Sequence, residues 1–165
     1  ASKACIASHP SDMAVALTAL GAGLETMTAD GATRTLAVAD LHRLPGDTPH
    51  LETNLAAGEL ITAVILPAAP SGGQIYRKAR DRASYAGGLA SVAVVGQQVA
   101  FGAVAHKPWR AEKTEAALKT GASALEAAHA ELAGAQDNGK NGFKIALVAR
   151  MTADALAQAS EGRGA

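Results

Sequence analysis

The stretch AAPSGG at residues 68–73 constrains this 165-residue chain more than any other. It puts two prolines' worth of stiffness nearby (Pro67 and Pro70), one serine and two glycines between patterned segments, which favours a turn over any regular element. The hydrophobic pattern differs on its two sides, so the chain reads as two α+β modules, residues 1–70 and 74–160.

In the first module residues 10–20 read as a helix. Pro10 suits a first-turn position, where its missing N–H costs nothing. Ser11 and Asp12 suit the positive end of the helix dipole. Met13, Leu17 and Leu20 repeat at helical spacing, and Gly21 ends the run. Two strands follow, at 24–28 and 33–38, and Asp30-Gly31 between them is a hairpin signal. Residues 39–49 hold two prolines and a glycine and read as a connector without a regular element. A third strand spans 60–66; its Leu, Ile and Val content suits a buried strand. In the second module, residues 74–79 read as a strand. Residues 88–95 and 98–105 form a second hairpin turning near Gly96. Helices are expected over 109–119, 123–132 and 142–159. The second module is thus a three-stranded antiparallel sheet followed by a three-helix cluster.

Composition narrows the function classes. Lys plus Arg number 15 and Asp plus Glu number 15, so the net charge is zero and there is no electrostatic footprint for nucleic acid. Hydrophobic residues make up 48% but aromatics only 3%, so alanine-rich helices build a thin core that a partner could complete. A single cysteine, Cys5, makes neither an internal disulfide nor an iron–sulfur cage of its own. The five histidines form no H-x-x-x-H pair, and no metal site is expected. No apolar run reaches the length of a membrane span. The first residues lack the basic start and apolar stretch of a signal peptide. Glycine-rich nucleotide loops and nucleophile motifs are absent.

Chemistry concentrates in Tyr76-Arg77-Lys78-Ala79-Arg80-Asp81-Arg82. In a strand, Tyr76, Lys78 and Arg80 share one face, and Arg77, Ala79 and Asp81 the other. Such a strip either grips a phosphate-bearing or electron-rich ligand or is a solvated edge protected by charge. Trp109 reads as a packing anchor between sheet and helices. Residues 43–49 (RLPGDTP) are either a binding loop or a connector fixed by its turn chemistry.

The strings SHPSDM (8–13), HRLPGDTP (42–49), GELIT (58–62), RKARDRASYA (77–86) and VAHKPWR (104–110) stand in the order found in flavin subunits of the xanthine dehydrogenase family of molybdenum hydroxylases. The chain most resembles the C-terminal half of the flavin subunit in bacterial, periplasmic-type aldehyde oxidoreductases. The resemblance implies the C-terminal part of a vanillyl-alcohol-oxidase-type FAD-binding domain, then a domain like the C-terminal one of carbon monoxide dehydrogenase flavoproteins. It implies FAD as cofactor, shared with an N-terminal FAD subdomain that is not in this chain. Iron–sulfur and molybdopterin-binding subunits are the implied partners, and the implied role is to pass electrons from iron–sulfur clusters to an external acceptor. The alternative is an assembly module that keeps the fold and has lost the flavin. Matching positions imply flavin contacts at Asp12, Ile61 and Arg77, with Lys78 and Tyr85 as neighbours. The family's SYAFAL reads Ser84-Tyr85-Ala86-Gly87-Gly88-Leu89 here, which removes a bulky side chain. The compartment stays open between cytoplasm and, through a partner's export, periplasm.

Overall fold

The computed structural model describes residues 3–162. Helix α1 (Asp12–Leu20) starts at Ser11, whose side chain accepts from the Ala14 amide, and stops at Gly21 in the left-handed conformation. Strands β1 (Gly23–Met27) and β2 (Thr33–Ala37) form the expected hairpin across Asp30-Gly31. A one-turn helix, α2 (Val38–Leu41), comes immediately after, at the beginning of the segment expected to hold no element. Its N-cap is Ala37, which has no side-chain oxygen to bond a free amide, so the sequence lacks a start signal there. Strand β3 (Leu60–Ile65) pairs antiparallel with β1, giving the order β2-β1-β3.

Strand β3 departs from expectation in burial: all six of its residues are exposed. An apolar run reads the same whether it lies in a sheet centre or on an edge, and here it forms an edge. Its anchor is buried Glu59. This carboxylate accepts from Thr26 Oγ1 at 2.6 Å, Arg34 Nε at 2.6 Å, Arg34 Nη2 at 2.7 Å and the Ala56 amide at 2.7 Å. The hydrogen bonds from Arg34 foremost, then Thr26 and Ala56, hold its pKa down at about 2.

The second sheet has the order β4-β5-β6-β7, with β4 (Gln74–Ala79), β5 (Ala90–Val95), β6 (Gln98–Gly102) and β7 (Trp109–Arg110). The fourth strand replaces the expected start of a helix. Arg110 and Trp109 pair with Ala100 and Phe101, and α3 (Glu112–Lys119) begins only afterwards. Helix α4 (Ala124–Leu132) opens with a Ser123–Glu126 capping box, and α5 (Phe143–Ser160) closes the fold.

Strands β5 and β6 are buried on both faces, and their alternation sorts the core into two layers. Ala90, Val92, Val94, Val99 and Phe101 pack with Val148, Ala155 and Ala159 of α5. Ala93, Val95 and Ala100 pack with Val15 and Ala19 of α1. Trp109 packs at the margin of the α5 layer and donates Nε1 to Glu131 of α4 at 2.9 Å, the anchor expected of it. Leu17 of α1 reaches the other way, against Ala22, Leu24 and Val38. Helix α1 therefore belongs to the cores of both sheets.

Candidate functional site

The alternation of β4 separates its polar residues as period two requires. On the face toward α1, Tyr76 Oη donates to Asp12 Oδ1 at 2.7 Å, and Lys78 Nζ donates to Asp12 Oδ2 at 2.7 Å. Asp12 occupies the first turn of α1, where free amides and the dipole favour an anion. Partial burial opposes its charge, but the hydrogen bonds from Lys78 and Tyr76 and the fields of Lys78 and Arg80 prevail, and its pKa is lowered. Burial foremost, with the Asp12 acceptor adding, pushes Tyr76 up to about 12, although Ser91 opposes the rise. The phenol is thus a fixed donor. The Asp12 side chain remains 47% exposed, so its remaining lone pairs face outward.

The other residues expected from the sequence lie elsewhere. Arg77 is on the opposite face of β4, where Nη2 meets Asp154 Oδ2 of α5 at 2.9 Å, both side chains half exposed. Ile61 sits on β3 in the first sheet, opposite Thr26. Tyr85 lies in the loop after β4, 95% exposed and with φ of 51°. Arg82 Nε holds its carbonyl oxygen at 3.1 Å. Asp12 and Lys78 are the pair that the fold joins directly. Tyr76 completes the cluster; its shared face with Lys78 was the signal for it. A Cβ at Gly88 would stand 3.4 Å from Lys78 Cε, so Gly88, but not Gly87, lies against this cluster.

A second convergence brings three of the motif strings together. His9 Nε2 and His42 Nε2 are 2.9 Å apart, with the rings edge to face at 4.2 Å between centroids and an angle of 83°. Lys107 Nζ donates to the Ala39 carbonyl at 3.1 Å. His106 Nε2 lies 2.8 Å from the Cys5 carbonyl. Burial lowers the pKa of both His9 and His42; Glu52 opposes this at both, while His9 and Lys107 reinforce it at His42.

The cluster around Asp12 places an accessible carboxylate and cations side by side, without a nucleophile backed by a base. That is equipment for holding a polar ligand, not for attacking one. Residues 3–69 match the family described as the FAD binding domain in molybdopterin dehydrogenase. The chain is 51% identical, over 163 residues, to the aldehyde oxidoreductase FAD-binding subunit PaoB of Escherichia coli (strain K12). The match covers 96% of this chain and 51% of the relative, so the chain spans about half the relative's length. Among solved structures, a carbon monoxide dehydrogenase from Hydrogenophaga pseudoflava, lacking the Mo-pyranopterin moiety of its cofactor, superposes with a TM-score of 0.76 at 24% identity, over 93% of this chain and 60% of the other. Quinoline 2-oxidoreductase from Pseudomonas putida 86 gives 0.73 at 22% identity, over 94% and 58%. The mixed α and antiparallel β fold is therefore that of chains in these solved structures, and residues 3–69 are similar in sequence to the FAD binding domain in molybdopterin dehydrogenase.

Proposed function

We propose that this chain forms one wall of an FAD site in the flavin subunit of a molybdenum-containing aldehyde or xanthine-type oxidoreductase. The observation behind the reading is Asp12 held between Tyr76 and Lys78 at the start of α1, within the family-matched residues for its carboxylate. The residues fit part of such a cofactor. A carboxylate with outward lone pairs accepts from N–H or O–H groups, and Lys78 and Arg80 suit electron-rich atoms. No glycine-rich phosphate loop occurs in the sequence. In this reading the pyrophosphate is held by an N-terminal FAD subdomain outside these residues, and the exposed apolar strand β3 is where it seats.

Bound FAD would supply the redox chemistry, receiving electrons from iron–sulfur clusters and releasing them to an external acceptor. The chain's own work is binding and orientation. Asp12 and Lys78 give polar contacts, Ile61 an apolar one, and Tyr85 an exposed ring on the adjoining loop. Arg77 holds β4 to α5 through Asp154 and so fixes the strand that bears Lys78. The iron–sulfur and molybdopterin-binding subunits are the partners, and this portion is not active alone.

The test uses the complete flavin subunit containing this chain, co-purified with its partners. Flavin absorbance per subunit is measured for the unsubstituted protein and for Asp12→Ala and Lys78→Ala. Loss of a charge-assisted hydrogen bond weakens flavin affinity by about 10–100-fold. A flavin-free native complex would establish the cofactor-less assembly module instead, and unchanged affinity in both variants would remove Asp12 and Lys78 from the site.

A further inference from the structure

We infer that His9 and His42 form a proton-sensitive latch, closed when both rings are neutral, that ties the segment entering α1 to the loop of residues 42–53. The tie joins the two sheet modules. The His9 amide donates to the Ala105 carbonyl at 2.8 Å and the His9 carbonyl accepts from the Ala103 amide at 3.3 Å, which fixes His9 to the turn beyond β6. His42 caps α2 and bridges to Thr53, which fixes it to the loop beside the first sheet.

The hydrogen bonds assign the protons. The Ser11 amide donates to His9 Nδ1 at 3.4 Å, so that nitrogen carries a lone pair and the His9 hydrogen is on Nε2. It points at His42 Nε2, 2.9 Å away, which must therefore be the acceptor. The His42 hydrogen is then on Nδ1, which is buried and has no hydrogen-bond partner among the described residues. Neither ring can take another proton without losing a bond. Protonation of His42 Nε2 would put two hydrogens into the 2.9 Å gap. Protonation of His9 Nδ1 would face it with the Ser11 N–H at the positive end of α1.

The charged groups facing the pair differ in sign. Glu52, on the far side of the 42–53 loop, favours protonation of both rings, whereas Lys107, from the turn before β7, disfavours it at His42. Burial outweighs Glu52, so both pKa values in the fold lie below the ordinary 6.5. A histidine with a lowered folded pKa contributes its full stability above the unfolded value and loses it as pH falls through the folded one. The latch is thus closed above pH 6.5 and opens below it.

Histidine side-chain nitrogen NMR on the full chain tests this, together with amide exchange at Arg43 and Asn54. Those amides close the loop by donating to the Glu52 and Leu41 carbonyls. At about pH 7.5, one unit above the ordinary histidine value, His9 should carry its hydrogen on Nε2 and His42 on Nδ1. As pH falls below 6.5, the two rings should titrate in a coupled manner. Protection of Arg43 and Asn54, corrected for intrinsic exchange, should fall by up to about tenfold per pH unit for each histidine as pH drops from 6.5 through the lowered folded values and then level off, while α5 keeps its protection. His42→Gln should abolish that pH dependence. The reverse tautomers, independent titration at the ordinary value, or unchanged pH dependence in His42→Gln would overturn the latch. Should His42→Gln fail to fold, the tautomers and the amide profile of the unsubstituted chain decide.

Discussion

At Gly102 an added Cβ would lie 2.3 Å from Ser91 Oγ and 2.5 Å from Val15 Cγ2, so β6 and α1 approach as closely as they do because position 102 has no side chain. Gly102→Ala should destabilise the chain by about 1–3 kcal/mol, the usual cost of overpacking a filled core, as read from a chemical denaturation midpoint. At Tyr76 the expected effect is electrostatic. Tyr76→Phe removes the donor to Asp12 Oδ1 and leaves Lys78 on Oδ2. The Asp12 pKa should rise toward its ordinary value in a carboxyl NMR titration, with a stability change under about 1 kcal/mol because the site is partly exposed. The alternation in residues 76–80 made the shared face of Tyr76 and Lys78 legible. The carboxylate they hold was not legible, because it arrives from another element.

Strand β3 is preceded by one buried carboxylate that ties its start to β1 and β2. Glu59 takes four hydrogen bonds from Thr26, Arg34 and Ala56 and is held at a pKa of about 2, against an ordinary 4.5. A carboxylate with a lowered folded pKa stabilises the fold above its unfolded value, and that contribution disappears as pH falls. The loss should therefore run from pH 4.5 down through about 2. Glu59→Gln should lower the melting temperature at neutral pH by several degrees and flatten this acid limb, both measurable by circular dichroism. The sequence placed β3 correctly along the chain and misjudged its burial, since Leu, Ile and Val suit an edge as well as a centre. It read Trp109 and Arg110 as helical because the neighbouring residues 112–119 are rich in helix formers. Pairing with Ala100 and Phe101, and the hold of Arg110 on Glu115 and on the Thr18 carbonyl, make them a strand instead.

For the whole molecule, the two sheets meet through α1, whose Val15 and Ala19 serve one core and Leu17 the other. Strand β3 lies outside both cores, with Leu60 66% and Ile65 45% exposed on an open edge. An uncovered apolar edge invites association. The chain by itself should self-associate in light scattering as concentration rises. Leu60→Lys with Ile65→Lys should suppress this, with each surface change altering stability by about 0.5 kcal/mol or less. Equal association of the substituted chain would clear β3 of that role. The sequence by itself determined what short-range chemistry controls: helices close to residues 10–20 and 123–132, the Asp30-Gly31 turn, the break at 68–73 and the opposed faces of β4; Ser11, read inside the first helix, is its N-cap, and Pro10 lies before it. Only the tertiary structure decided which far segments those faces meet, with Asp12 against Lys78, Asp154 against Arg77, and His9 against His42. The first two pairings arise from how α1 and α5 settle on opposite sides of one buried sheet, the third from the tie of His9 to the turn beyond β6, and helix periodicity carries no record of the partner. The run from Arg77 to Lys78 thus reads as a charged strip in the sequence and becomes two separate ties in the fold, because neighbouring residues of a strand face opposite layers.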